Sequence, residues 1–350
     1  MSAVVQRFPS NHNVARFVLP HPHLLFLGDV VEAGFAKTAF GLRDWAGDRC
    51  VGEYALPGAK ISLGLPKLTP RAAAAQGARS MVIGVANVGG YIPPSWYGAL
   101  LEALEAGLDI VSGMHMRLAS LPGLQSAADR NNRRLIDVRT PPPGIPVASG
   151  LKRTGRRLLT VGTDCALGKK YTALAITRGL KARQINATFR ATGQTGIMIA
   201  GEGMPLDSVV ADFIAGAAEM LSPDAPADHI DVIEGQGSIF HPSYAGVALG
   251  LLHGSQPDQF IVCHEPGRTH VLGHAEFALP SIEQVIEQTI ALGRLTNPAI
   301  RCAGVSLNTS KFDEAEALLE FERVEKRLSL PVADPMRGGT AFERLLDACE

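Results

Sequence analysis

Residues 158–172, LLTVGTDCALGKKYT, decide the fold. A β-rich apolar run ends at Gly162, and a helix-forming run, KKYTALAITRGLKAR, begins at Lys169. Thr163, Asp164, Cys165, Ala166, Leu167 and Gly168 lie between them. Strand, glycine loop, lysine and helix in that order are the context of a phosphate-binding P-loop, with one extra residue between the glycines. The glycines let the backbone curl until several N–H groups point inward. Lys169 adds a charge, and the helix aims its positive dipole end at the same place. The plainer reading is a βα turn that happens to contain glycines, but it leaves the lysine and the spacing unexplained.

One position departs from the pattern. A magnesium-binding P-loop has Ser or Thr after its lysine, and here the residue is Lys170, which cannot ligate a metal while protonated. The nearest hydroxyls, Tyr171 and Thr172, are rotated about the helix from that site. The loop therefore suits holding phosphates better than cutting them, as for the pyrophosphate handle of coenzyme A. No metal is expected.

Outward from the loop the chain alternates strand and helix. Residues 185–193, 229–235, 259–265 and 299–308 read as strands; 208–221, 244–253, 281–295, 313–328 and 340–349 read as helices. Such a series predicts a mostly parallel sheet with helices on both faces and ligands at the carboxyl ends of the strands. Upstream, HLLFLGDV (23–30), SMVIGVAN (80–87) and LDIVSGMH (108–115) read as strands, and SWYGALLEALEAG (95–107) as an amphipathic helix. These predict a Rossmann-like domain without a GxGxxG dinucleotide fingerprint. The proline-rich stretch 138–150, VRTPPPGIPVASG, interrupts both series. The expected layout is α/β throughout: a Rossmann-like domain over 1–145 and a P-loop domain over 146–350.

Composition narrows the function. The 350 residues carry 33 Lys+Arg against 34 Asp+Glu, a net charge of -1, which offers no field for nucleic acid or an anionic membrane. A small-molecule substrate is the better expectation. Five scattered cysteines suggest neither a disulfide framework nor a zinc site. The first residues, MSAVVQRFPSNHN, lack a signal-type apolar core and no run is long enough to span a membrane, so a cytoplasmic enzyme is expected.

A second signal is HIDVIEGQGSIFHPSYAG (229–246), where Glu234 ends a β-rich run and precedes Gly235, Gln236, Gly237 and Ser238. An acidic residue at a strand tip beside a P-loop is placed to hold a metal or a water, or else simply caps the following turn. Together GTDCALGKK and VIEGQGS resemble the dethiobiotin synthetase branch of P-loop proteins. The longer runs GTDCALGKKYTALAI, FRATGQTGIMIAG, VIEGQGSIFHPSYAGVALGLLHGSQPD and VCHEPGR, with GDVVEAGFAKTAFGLRDW and GVANVGGYIPPSW upstream, resemble the D-glutamate N-acetyltransferase family over nearly the whole chain. That resemblance implies acetyl transfer from acetyl-CoA, as co-substrate, to the amine of D-glutamate. It also accounts for Lys170, because this reaction needs no magnesium.

Acyl transfer to an amine requires a base and an oriented thioester. Glu234 and His241 are the candidate bases; His264 and Glu265, at the end of another strand, are weaker ones. Residues Gly162 to Tyr171 are the candidate cofactor contacts. A dicarboxylate substrate calls for cations and polar donors, and Arg190, Thr192, Gln194, Thr195 and Arg117 are the candidates. The basic cluster Lys152, Arg153, Arg156 and Arg157 either meets the 3′-phosphate of the coenzyme or is a solvated strand entry. A homo-oligomer is expected. The alternative function is an ATP- and Mg-dependent ligase or kinase of dethiobiotin synthetase type, with Asp164 and Glu234 gathering the metal.

Overall fold

The run HLLFLG carries no polar–apolar alternation because both faces of its strand are covered, and all six residues are buried. The computed structural model, which describes residues 15–16 and 19–350, places this strand inside a five-stranded sheet. The order is Cys50–Ala55, His23–Gly28, Ser80–Ile83, Asp109–Ser112, Leu135–Asp137, every pair parallel. The helix Tyr97–Glu105 buries Ala99, Leu100, Ala103 and Leu104 along one stripe, and Gly107 (φ 87°) turns the chain just beyond it. At the carboxyl end of the His23–Gly28 strand a Cβ on Gly28 would lie 2.5 Å from the Trp96 ring. Trp96 is buried and its Nε1 donates to Asp29 at 2.9 Å. An indole thus packs where a doubly wound sheet would otherwise offer space for a ligand.

Residues 193–208, expected in the second domain, fold with this first unit. Helix Gln194–Ala200 packs on helix Lys37–Ala46, with Thr195 and Thr38 hydroxyls 2.9 Å apart. Gly113 has no side chain because a Cβ there would lie 2.6 Å from Gln194 Cγ. The strand Glu202–Gly203 pairs antiparallel with Ala15–Arg16. The first unit is therefore Ala15–Pro141 with Gly193–Ser208, and the second is Pro142–Thr192 with Val209–Glu350.

The second unit holds a six-stranded sheet in the order Val332–Ala333, Arg301–Leu307, Gln259–His264, Arg156–Gly162, Ile230–Ile233, Ala187–Arg190. All its pairings are parallel. The chain starts at Arg156–Gly162, adds two strands on one side, then crosses to add three on the other. Right-handed crossovers in opposite directions put helices on opposite faces. Helices Lys169–Ala182 and Gly339–Cys349 accordingly pack together, and Ile214–Leu221, Ala245–Ser255 and Ile282–Gly293 form another group. The P-loop leaves the strand where the order reverses, the place such sheets reserve for ligands. The predicted helix over 208–221 is shorter than expected, a 3-10 turn Ala211–Phe213 leading into Ile214–Leu221.

The basic cluster lies at the amino end of the Arg156–Gly162 strand, opposite the loop. Lys152 Nζ bonds Asp258 at 2.7 Å, and Arg153 donates to the Gly254 carbonyl at 2.7 Å. Arg156 reaches the Glu350 carbonyl. Arg157 is 1% exposed and spreads its donors over Ser222, Arg153, Thr154 and Pro223. A strand rises about 3.3 Å per residue, so the P-loop is roughly 20 Å away. The coenzyme reading of this cluster is corrected: the residues anchor the linker and the strand entry. Among the described residues no helix is long and apolar enough to cross a membrane.

Candidate active site

The loop after Gly162 curls through two left-handed residues, Ala166 (φ 55°) and Gly168 (φ 105°). A non-glycine residue in that region costs on the order of 1–2 kcal/mol, strain of the kind that persists at functional sites. Lys169 opens the helix, and its ammonium folds back to donate to the Asp164 carbonyl at 2.7 Å. A Cβ on Gly162 would sit 3.3 Å from that nitrogen and 3.2 Å from the Asp164 and Cys263 carbonyls, which explains the glycine. Burial pushes the Lys169 pKa down, opposed by Cys165, Cys263 and Asp164.

Lys170 sits with its ammonium 5.2 Å from the centre of the Tyr171 ring, a cation–π contact. Thr172 turns into the core, its hydroxyl 2.8 Å from that of Ser306. Thr163 joins the loop to the neighbouring strand: its N–H donates to the Cys263 carbonyl and its hydroxyl lies 3.0 Å from His264 Nδ1.

Asp164 is fully buried, and its carboxylate accepts from Cys165 N (2.6 Å), Leu272 N (2.7 Å) and Arg268 Nη1 (3.1 Å). Arg268 also donates to the Cys165 carbonyl at 2.9 Å and pairs with Glu265, which holds Lys311 at 2.6 Å. Asp164 is thus a clamp between the P-loop and the segment 265–272. Arg268 and the Leu272 N–H were not distinguishable in the sequence, since only the fold brings them to Asp164.

His241 Nε2 lies 3.9 Å from Asp164 Oδ1, and Asp164, Cys165 and His241 group as three potential metal ligands. Their hydrogen bonding does not fit a metal. His241 Nδ1 accepts the Ser243 N–H at 3.0 Å, so the ring proton belongs on Nε2, the nitrogen that faces the carboxylate. With Nδ1 occupied and Nε2 protonated, His241 offers no lone pair either to a metal or to a substrate ammonium. Burial lowers its pKa, and its ring stacks on Tyr244 at 4.5 Å.

Glu234 is buried beside the loop. Its Oε2 accepts the Thr192 N–H at 2.9 Å, and its carbonyl accepts the Thr192 hydroxyl at 2.7 Å. Gln236 Nε2 donates to the same hydroxyl at 2.9 Å. The Gly235 N–H donates to Thr160 Oγ1 at 2.9 Å, and a Cβ on Gly235 would be 1.7 Å from the Thr160 carbonyl and 3.0 Å from Lys169 Cδ. The Glu234–Gly235 turn therefore lies directly against the P-loop strand and the stem of Lys169.

Of the substrate-contact candidates, Thr192 is the one brought to Glu234. Arg190 Nε pairs with the buried Asp231 at 2.7 Å, a carboxylate that Ser222 and His229 also hold. Gln194 and Thr195 are buried in the first unit. Arg117 is exposed there and donates to the Thr140 hydroxyl at 3.1 Å.

Fold and loop define a P-loop α/β protein with a Rossmann-like first domain. The pattern of a domain of unknown function, the DUF1611 P-loop domain, matches residues 146–346, and that of the DUF1611 N-terminal Rossmann-like domain matches residues 48–141. The chain belongs to this DUF1611 family. It is 49% identical over 327 residues to a D-glutamate N-acetyltransferase of Tritonibacter scottomollicae, covering 93% of this chain and 98% of that protein. It is 46% identical over 318 residues to a D-glutamate N-acetyltransferase of a Pseudoalteromonas species, covering 91% and 96%. A crystal structure of a DUF1611 family protein from Anabaena variabilis superposes with a TM-score of 0.82 at 31% identity, covering 93% of this chain and 97% of that one.

Proposed function

We propose that this protein is an acyltransferase that moves the acetyl group of acetyl-CoA to the amine of D-glutamate. The observation that carries the reading is the pairing of a phosphate cradle that has no magnesium hydroxyl with a buried carboxylate, Glu234, whose neighbour Gly235 packs against the stem of the loop's lysine. The likeness to two D-glutamate N-acetyltransferases over nine-tenths of the chain supports the acceptor. The P-loop N–H groups and Lys169 hold the pyrophosphate, and Lys169 exchanges the Asp164 carbonyl for phosphate oxygens. Glu234 takes a proton from the substrate ammonium. The freed amine attacks the thioester carbonyl carbon, a C–N bond forms, the C–S bond breaks, and coenzyme A leaves as the thiol. Between the two candidate bases the hydrogen bonding favours Glu234, because His241 Nδ1 accepts the Ser243 N–H and Nε2 carries the ring proton. Thr192 is the candidate to orient the substrate beside Glu234. Arg190, Gln194, Thr195 and Arg117 contact substrate only by exchanging the bonds or packing just described.

The test is purified protein with acetyl-CoA and D-glutamate, followed by thiol release, with EDTA present. Undiminished turnover in EDTA is expected. Strict Mg²⁺ dependence, or ATP turnover stimulated by an amine or carboxylate, would replace this reading with the ligase alternative.

A further inference from the structure

With the cluster at 152–157 committed to anchoring, the second phosphate of a coenzyme A donor needs another partner. A cavity of about 320 Å³ opens beside the P-loop, walled by His264, Arg268, the first turn of helix Ile282–Gly293, and the helix Glu314–Leu328. Its charged lining is Arg268, Arg323 and Arg327 against Glu320 alone, and His264 is neutral near pH 7 because burial lowers its pKa to about 4. Arg268 is spent on Asp164 and Glu265, which leaves Arg323 and Arg327, two guanidinium groups whose donors suit a phosphate monoester dianion in exchange for their carboxylate partners. Arg323 and Arg327 are four apart on one helix and so share a face. Their side chains are 61% and 43% exposed; Glu320 holds Arg323 through two hydrogen bonds and Glu283 pairs with Arg327, and a bound phosphate takes the place of these carboxylates.

Two side chains fix the distance from this cavity to the loop. His264 lines the cavity and meets the Thr163 hydroxyl at 3.0 Å; Arg268 lines it and donates to the Cys165 carbonyl at 2.9 Å. The cavity and the loop thus share these two side chains as a common wall. The 3′-phosphate and 5′-pyrophosphate of coenzyme A are one ribose apart. We infer that Arg323 and Arg327 bind the 3′-phosphate of the donor's adenosine, in the cavity that His264 and Arg268 join to the P-loop. The assignment rests on acetyl-CoA being the donor at that loop.

The experiment compares acetyl-CoA with 3′-dephospho-acetyl-CoA, which lacks only that phosphate, for the wild type and for Arg323→Gln/Arg327→Gln. The wild type is expected to show a KM at least about tenfold higher for the dephospho donor, on the order of one charge-assisted contact. The double variant is expected to bring the two KM values together, with the KM for D-glutamate unmoved. A variant that keeps the wild-type ratio, or a wild type that uses both donors equally, overturns the assignment. A shift in the D-glutamate KM instead would place the substrate's carboxylates in the cavity and also overturn it. Wild-type protein inactive with both donors overturns the acetyl-CoA reading of the loop, and the assignment with it. Should the double variant fail to fold, competition on the wild type decides: adenosine 3′,5′-bisphosphate should inhibit at least about tenfold more strongly than 5′-AMP, and equal inhibition refutes the assignment.

Discussion

Replacing Lys169 with methionine separates what this lysine does for binding from what it does for folding. The side chain is similar in length, so the loop should keep its packing while losing one ammonium. If Lys169 leaves the Asp164 carbonyl to hold a phosphate oxygen, its removal deletes one charge-assisted hydrogen bond, about 1.5–3 kcal/mol, or roughly 10- to 150-fold in donor affinity. Stability should move differently. Burial lowers the folded-state pKa of Lys169 below its ordinary 10.5. Between that lowered value and 10.5 the unfolded chain binds a proton that the folded chain does not, so wild-type stability rises with pH across that window. Lys169→Met should lose that rise, and at neutral pH it should melt no more than about 2 kcal/mol below wild type, the cost of leaving the Asp164 carbonyl unpaired. The assays are isothermal titration with acetyl-CoA and thermal melts from pH 7 to 10.5. A variant that binds acetyl-CoA within threefold of wild type would refute the phosphate role of Lys169. An unchanged pH dependence of melting would refute its burial as a cation.

Glu234→Gln keeps the shape and the bond from Thr192 but cannot take a proton; turnover should fall by about 10²–10⁴ with donor KM nearly constant, read by steady-state kinetics. Gly235→Ala drives a methyl into the Thr160 carbonyl and should cost about 3 kcal/mol in denaturant unfolding, the top of the usual overpacking range. His264, held at about 4 by burial, stays neutral while an unfolded histidine protonates at 6.5, so stability should fall as pH drops from 6.5 towards 4. His264→Gln should flatten part of that acid limb in thermal melts, with His23, also lowered to about 4 by burial, and His115 and His241, lowered by burial too, contributing to what remains.

Local chemistry was enough to find the P-loop. Gly162, Gly168 and Lys169 are adjacent in the chain, and the strand before them and the helix after them are built from short-range propensity and apolar patterning. The same holds for the turn after Glu234, where Gly235 and Gly237 mark a tight approach. The strand Cys50–Ala55 escaped because Glu53 interrupts its apolar run; that carboxylate is buried, and only the fold shows the Ser62 hydroxyl and Leu63 N–H that satisfy it, at 2.6 and 2.5 Å. Residues 193–208 looked like the continuation of the second domain, since nothing local reveals that Gly113 leaves room for Gln194.

The clamp on Asp164 was invisible for the same reason, as Arg268 and Leu272 lie more than a hundred residues along the chain. His241 is the sharpest case. Its residue type alone suggests a base, and the bond from the Ser243 N–H together with the facing Asp164 carboxylate decides which nitrogen carries the proton. Sequence by itself determined the class of fold, the phosphate loop and the acidic strand tip, because those depend on neighbours within a few residues. Tertiary structure alone decided which charges are spent on anchoring and which remain at the loop, because a side chain's partner, burial and protonation state are properties of residues distant in the chain.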